Sequence, residues 1–136
     1  MNSYLVKAPI RDPGSRTFVL KSQKTMYGGK NIAKGDVVFV FASEHHGGEG
    51  LVARGTVTSA RPVPNKPGVR QTPRVSIVVR RDARARRPMG RDVLKKFRNW
   101  GDGRPETELN FKFYRQATNK IGGISAAAAR FLGRFC

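Results

Sequence analysis

Hydrophobic and polar positions along the chain alternate mostly with the two-residue period of strands. Residues 37–42 read Val-Val-Phe-Val-Phe-Ala, an apolar run entered through the turn signal Lys34-Gly35-Asp36. A polar, glycine-rich segment from Ser43 to Gly50 follows. From Leu51 to Ala60 the pattern alternates, with Leu51, Ala53 and Val57 on one side and Arg54, Thr56 and Thr58 on the other. Tyr4–Ala8 reads as a first strand stopped by Pro9. Val75, Ile77 and Val79 set one face of a strand over Arg74–Arg81. Leu109, Phe111 and Phe113 alternate with Asn110, Lys112 and Tyr114, which predicts another strand.

Three segments carry helix signals. Arg16–Gln23 reads as a helical turn, and Gly28-Gly29 breaks what precedes it. Arg91–Trp100 sets Val93, Leu94, Phe97 and Trp100 on one side, and Gly101-Asp102-Gly103 ends it. Ser125 is a good N-cap for a last helix, in which Ile124, Ala128, Phe131 and Phe135 make a stripe. Between the strands, Arg61–Pro73 contains Pro62, Pro64, Pro67 and Pro73, so it is an exposed connection and not a central strand. The sum is an α+β chain dominated by a barrel-like, mainly antiparallel sheet.

Length changes this picture little: 136 residues make one domain, 1–136, able to bury roughly 68% of its unfolded surface. Charge changes it more. The chain carries a net charge of +18. Residues 1–69 hold 10 Lys and Arg against 4 Asp and Glu, whereas residues 70–136 hold 17 against 5. That excess points to a polyanionic partner, nucleic acid before a membrane surface. No apolar run approaches the roughly 20 residues of a membrane span, the start lacks a secretory signal, and Cys136 is the single cysteine. A soluble, cytoplasmic protein is expected.

Catalytic and metal chemistry find little purchase. His45-His46 with Glu44 and Glu49 has no later His or paired Cys to complete a ligand set, so a solvated loop is the better reading and no metal or cofactor is expected. Cys136 stands at a chain end unsuited to a nucleophile. The aromatics say more. Phe39, Phe97, Phe111, Phe113, Phe131 and Phe135 suit a core, while Tyr27, Trp100 and Tyr114 have polar neighbours and could stack on bases. Arg80, Arg81, Arg84, Arg86, Arg87 and Arg91, with Lys95, Lys96 and Arg98, form the candidate phosphate-binding set. Such contacts position a nucleic acid without reading its sequence.

The segment Ile32-Ala33-Lys34-Gly35-Asp36-Val37-Val38-Phe39-Val40-Phe41-Ala42-Ser43, followed after the loop by Gly50-Leu51-Val52-Ala53-Arg54-Gly55-Thr56-Val57, resembles the core of an EVE domain. This is a member of the PUA-like superfamily, which includes ASCH, YTH and SRA domains. Phe113-Tyr114-Arg115-Gln116 through Ile121-Gly122-Gly123-Ile124-Ser125 is similar as well. The resemblance implies a β pseudobarrel with helices at its openings and a pocket that holds a flipped, often methylated, base. Carried over by position, Phe41 and Ser43 would border that pocket, and Tyr27, Trp100 and Tyr114 would supply walls. Asn119 or Lys120 would bond a base edge. Many EVE domains carry a tryptophan near the first strand; here Ala8-Pro9 stands there, and the single Trp is Trp100.

The function these readings support is a non-enzymatic nucleic-acid-binding module that recognises a modified base in DNA or RNA. Two rivals stand beside it. One is a ribonuclease of the ASCH kind, using Lys120 or Tyr114 with an acid such as Glu44. The other is a small-ligand or protein-binding barrel whose charge serves solubility.

Overall fold

Six strands close on one another in a computed structural model that describes residues 2–116 and 118–136. They are β1 (Ser3–Ala8), β2 (Thr17–Met26), β3 (Val37–Ala42), β4 (Gly50–Pro62), β5 (Arg74–Arg84) and β6 (Lys120–Ile124). Their order around the barrel is β1-β3-β4-β5-β2-β6. The β1–β3 and β2–β6 pairs are parallel, and the others are antiparallel. The helices are α1 (Arg91–Leu94), α2 (Pro105–Leu109) and α3 (Ala126–Gly133). Among the described residues no helix is long and apolar enough to cross a membrane.

The apolar run of β3 is continuous because both of its faces are covered. Val38 and Val40 join Tyr4, Val6, Ile77 and Val79 in the barrel interior. Phe39 and Phe41, with Leu5, pack outward against Leu94, Leu109, Phe113, Ala128 and Leu132 of the helical segments. Each such side chain contributes about 1.5–3 kcal/mol on burial. The same alternation along β1 turns Lys7 toward the helices beside Leu5.

Three elements differ from the sequence expectation. Arg16–Gln23 is not helical: from Thr17 on it lies in β2, where Phe18 and Leu20 point inward until Ser22, at φ 51°, shifts the register. The bulge is tied by the Ser22 N–H to the Ser76 Oγ at 2.9 Å and by the Arg74 guanidinium to the Ser22 carbonyl at 2.6 Å. The helix expected over Arg91–Trp100 stops after Leu94, which alone of its apolar positions is fully buried. With one buried residue there is too little packing to sustain more turns.

The strand expected over Leu109–Tyr114 is instead a helical continuation of α2. Leu109 and Phe113 are buried on one face at a spacing of four, and Phe111 leaves that face to meet Trp100. The last turn is widened: the Arg115 N–H donates to the Asn110 carbonyl five residues back, at 2.7 Å. Such wide turns occur often at functional sites. Ser125 does cap α3, its Oγ accepting from the Ala128 N–H at 3.1 Å.

Candidate nucleic-acid interface

Where the widened turn meets the loop after β3, Lys7, Glu44, His45, Arg91, Tyr114 and Arg115 line a cavity of about 300 Å³. A second hollow of similar size shares Arg91, Tyr114 and Arg115 with it and adds Lys95, Arg98, Trp100 and Asn110. Together they form one groove with a cationic rim.

Glu44 organises the floor. Its Oε1 accepts from the Tyr114 hydroxyl at 3.0 Å, and its Oε2 accepts from the Arg91 N–H at 2.8 Å, at the start of α1. Burial, and then the Glu44 charge, push the Tyr114 hydroxyl far above its ordinary range, so it stays protonated and serves as a donor. The Tyr114 ring lies 6.5 Å from that of Phe41, centroid to centroid, and is tilted to it by 59°.

Two lysines sit beneath. Lys7 and Lys120 are partners in the β1–β6 register and are each 2% exposed. The Lys7 ammonium donates to the Phe113 carbonyl at 2.6 Å and stands 4.6 Å from the centroid of the Tyr114 ring. The Lys120 ammonium reaches the Thr118 carbonyl at 3.4 Å and lies 5.5 Å from the centroid of the Phe113 ring. Burial lowers the pKa of Lys7, with Glu44 opposing and Arg91 assisting. Burial, then Lys7 and Arg115, bring Lys120 down to about 8.

No protein-family model matches this chain, and no curated protein does. Solved structures do match. Human THYN1, solved in complex with 5-methylcytosine-containing DNA, superposes at a TM-score of 0.65 with 16% identity, covering 98% of this chain and 97% of that one. The DUF55 domain of human thymocyte nuclear protein 1 gives 0.61 at 14% identity, covering 96% and 95%. A hypothetical protein from Leishmania major gives 0.60 at 16%, covering 98% and 93%. The fold is that of an EVE domain.

On this EVE fold the residues named from sequence fall in different places. Tyr114 lines the cavity and Phe41 backs its ring. Trp100 lines the second hollow, 47% exposed, with its ring edge-on to Phe111 at 5.5 Å. Ser43 is buried behind the Glu44 turn, its Oγ without a hydrogen-bond partner among the described residues. Lys120 lies under the floor, and Asn119, half-buried, precedes it without lining either hollow. Tyr27 stands apart, in a depression with Tyr4, Asn31 and Lys112.

The basic set divides too. Arg91, Lys95 and Arg98 rim the groove, with Lys96 beside them over the Phe97 ring. Arg80 pairs with Asp82, and the Arg81 guanidinium donates to the Gly14 and Ser15 carbonyls. Arg84 lines a separate cavity with Arg11 and His46. Arg86 and Arg87 reach the Arg134 carbonyl at the end of α3.

Sequence reading passed over Lys7 and Arg115. Lys7 did leave a signal, a cation within the otherwise apolar stretch Tyr4–Ala8. Arg115 is stacked at 4.0 Å from the centroid of the Phe111 ring and left no comparable mark.

Proposed function

We propose that this protein binds nucleic acid without cleaving it and accepts a single base, modified for example by methylation, in the cavity at Tyr114. The observation that carries the reading is the meeting of Tyr114 and Trp100 with Arg91, Lys95, Arg98 and Arg115 in one groove. Rings offer a stacking surface worth about 1–3 kcal/mol per base, and guanidinium and ammonium groups hold the flanking phosphates. Withdrawing a base from its stack costs a few kcal/mol, within reach of such contacts. The methylcytosine DNA bound by THYN1 on the same fold supports a methylated base as the ligand. Tyr114 itself suits binding better than hydrolysis, because its hydroxyl donates to Glu44 and is held protonated.

Salt dependence of duplex binding tests the groove. Arg91→Gln with Lys95→Gln makes the slope of log affinity on log salt shallower by about 0.9 for each phosphate no longer neutralised. Arg80→Gln leaves the slope unchanged. Tyr114→Ala removes the preference for a methylated over an unmethylated strand while general binding persists. An unchanged slope in the double variant, with an unchanged preference in Tyr114→Ala, sinks the reading.

A further inference from the structure

Lys7 and Lys120 stand directly opposite each other on β1 and β6, so their side chains leave the barrel on the same, helix-facing side. Both are almost wholly buried. Like charges directly opposite across a strand pair are destabilising, and buried charges are ordinarily paired. Here they are not. Among the described residues the ion pairs are Arg80–Asp82, Lys95–Asp92 and Lys112–Glu108, so neither buried ammonium has a carboxylate against it.

Glu44 is the one carboxylate lining the cavity, and both of its oxygens are engaged, by the Tyr114 hydroxyl and the Arg91 N–H. Lys7 keeps donors beyond the one it gives to Phe113, since an ammonium carries three. Lys7, Arg91 and Arg115 line the cavity, and Lys120 adds its charge from behind. Cations therefore outnumber the single acid, and of those lining the cavity Lys7 is the one held away from solvent.

We propose that the floor of this cavity is an anion site, in which Lys7, backed by Lys120, takes an anionic oxygen of the ligand. The inference rests on the reading of the cavity as a base site and names what that base or its neighbour carries. The oxygen has two sources with one chemistry: a carboxylate on the base itself, as in 5-carboxylcytosine, or the phosphate adjoining the base.

Binding of otherwise identical oligonucleotides, carrying at one position cytosine, 5-methylcytosine, 5-carboxylcytosine or no base, tests it, because the backbone charge cancels across the series. A carboxylate source makes the 5-carboxyl strand bind at least tenfold tighter than the 5-methyl strand, and Lys7→Met abolishes the gain. A phosphate source gives no such gain. Replacing the linkage beside the base with a neutral methylphosphonate then weakens the wild type at least tenfold and leaves Lys7→Met unaffected. The wild-type comparisons stand whether or not the variant folds. If neither the carboxyl group nor the methylphosphonate alters wild-type affinity, the anion site is refuted, while a 5-methylcytosine strand that still outbinds the abasic one keeps the base site. If all four strands bind alike, the base site itself is lost, and the methylphosphonate comparison alone decides the anion site.

Discussion

The barrel interior and the layer between the barrel and the helices are built from the same strands yet have opposite characters. Along β1, Tyr4, Val6 and Ala8 enter an interior cluster made of hydrophobic residues, while Leu5 and Lys7 face the helices. That outer layer holds Lys7, Lys120 and Asn110 in buried positions and Tyr114 bonded to Glu44. Burying charge costs stability, whereas burying valine or isoleucine supplies it. The contrast teaches that one strand can do both, because alternate residues belong to different environments.

The largest test of the contrast lies in the interior. Ile77→Ala should cost about 2–5 kcal/mol, read as a lower urea midpoint at unchanged slope, while the folded fraction keeps its preference among bases. A loss of that preference would erase the division between the two layers.

A smaller effect is expected at the seam. A methyl group added at Gly122 would stand 2.8 Å from the Phe113 ring, so Gly122→Ala should cost about 1–3 kcal/mol through overpacking. Because Phe113 holds Lys7 through its carbonyl and precedes Tyr114, affinity for a methylated strand should fall as well. Both are measurable by urea titration and strand binding on one preparation, and intact binding alongside lost stability would uncouple the seam from the site.

The smallest concerns pH. An unfolded lysine titrates near 10.4, and folded Lys120 at about 8. Between those values the unfolded chain binds more protons, so the Lys120 contribution makes stability climb as pH rises from about 8 to about 10. Below about 8 the lysine is charged in both states and its penalty is present in full. Tyr114 acts in the opposite sense above about 10, where an unfolded tyrosine ionises and the folded one does not. Lys120→Met should flatten the rise, checked by urea midpoints at pH values of about 7, 8.5 and 9.5. A rise equally steep in the variant would place its origin elsewhere.

Much of the barrel was legible because alternation survives in β4 and β5 and because β3, covered on both sides, is apolar throughout. β2 escaped because the Ser22 bulge changes which parity faces inward, leaving Lys21-Ser22-Gln23-Lys24 without a visible period. β6 escaped because Gly122 and Gly123 carry no side chains to alternate, though any side chain at Gly122 would collide with Phe113. Leu109 and Phe113 fit a strand and a helix equally well, and only the side taken by Phe111 separates the two.

The candidate site was half legible. Tyr114, Trp100, Arg91, Lys95 and Arg98 converge, but the arginines from Arg80 to Arg87, close together in sequence, are spread along β5 and toward the end of α3. Lys7 and Lys120 are 113 positions apart, and only the β1–β6 register joins them.

Closure of the barrel has a further consequence. A sheet without a rim gives other chains no backbone to extend, so the hazard of strand-to-strand aggregation shrinks to wherever pairing lapses. It lapses on the β6 side of β2 before Thr25, and along β4 past Val57, where β5 is the one remaining strand neighbour. Arg61, Pro62 and Pro64 stand at the end of that stretch, a cation and two residues without an amide hydrogen. The open edge of β4 thereby ends in residues that give a neighbouring chain little to template on.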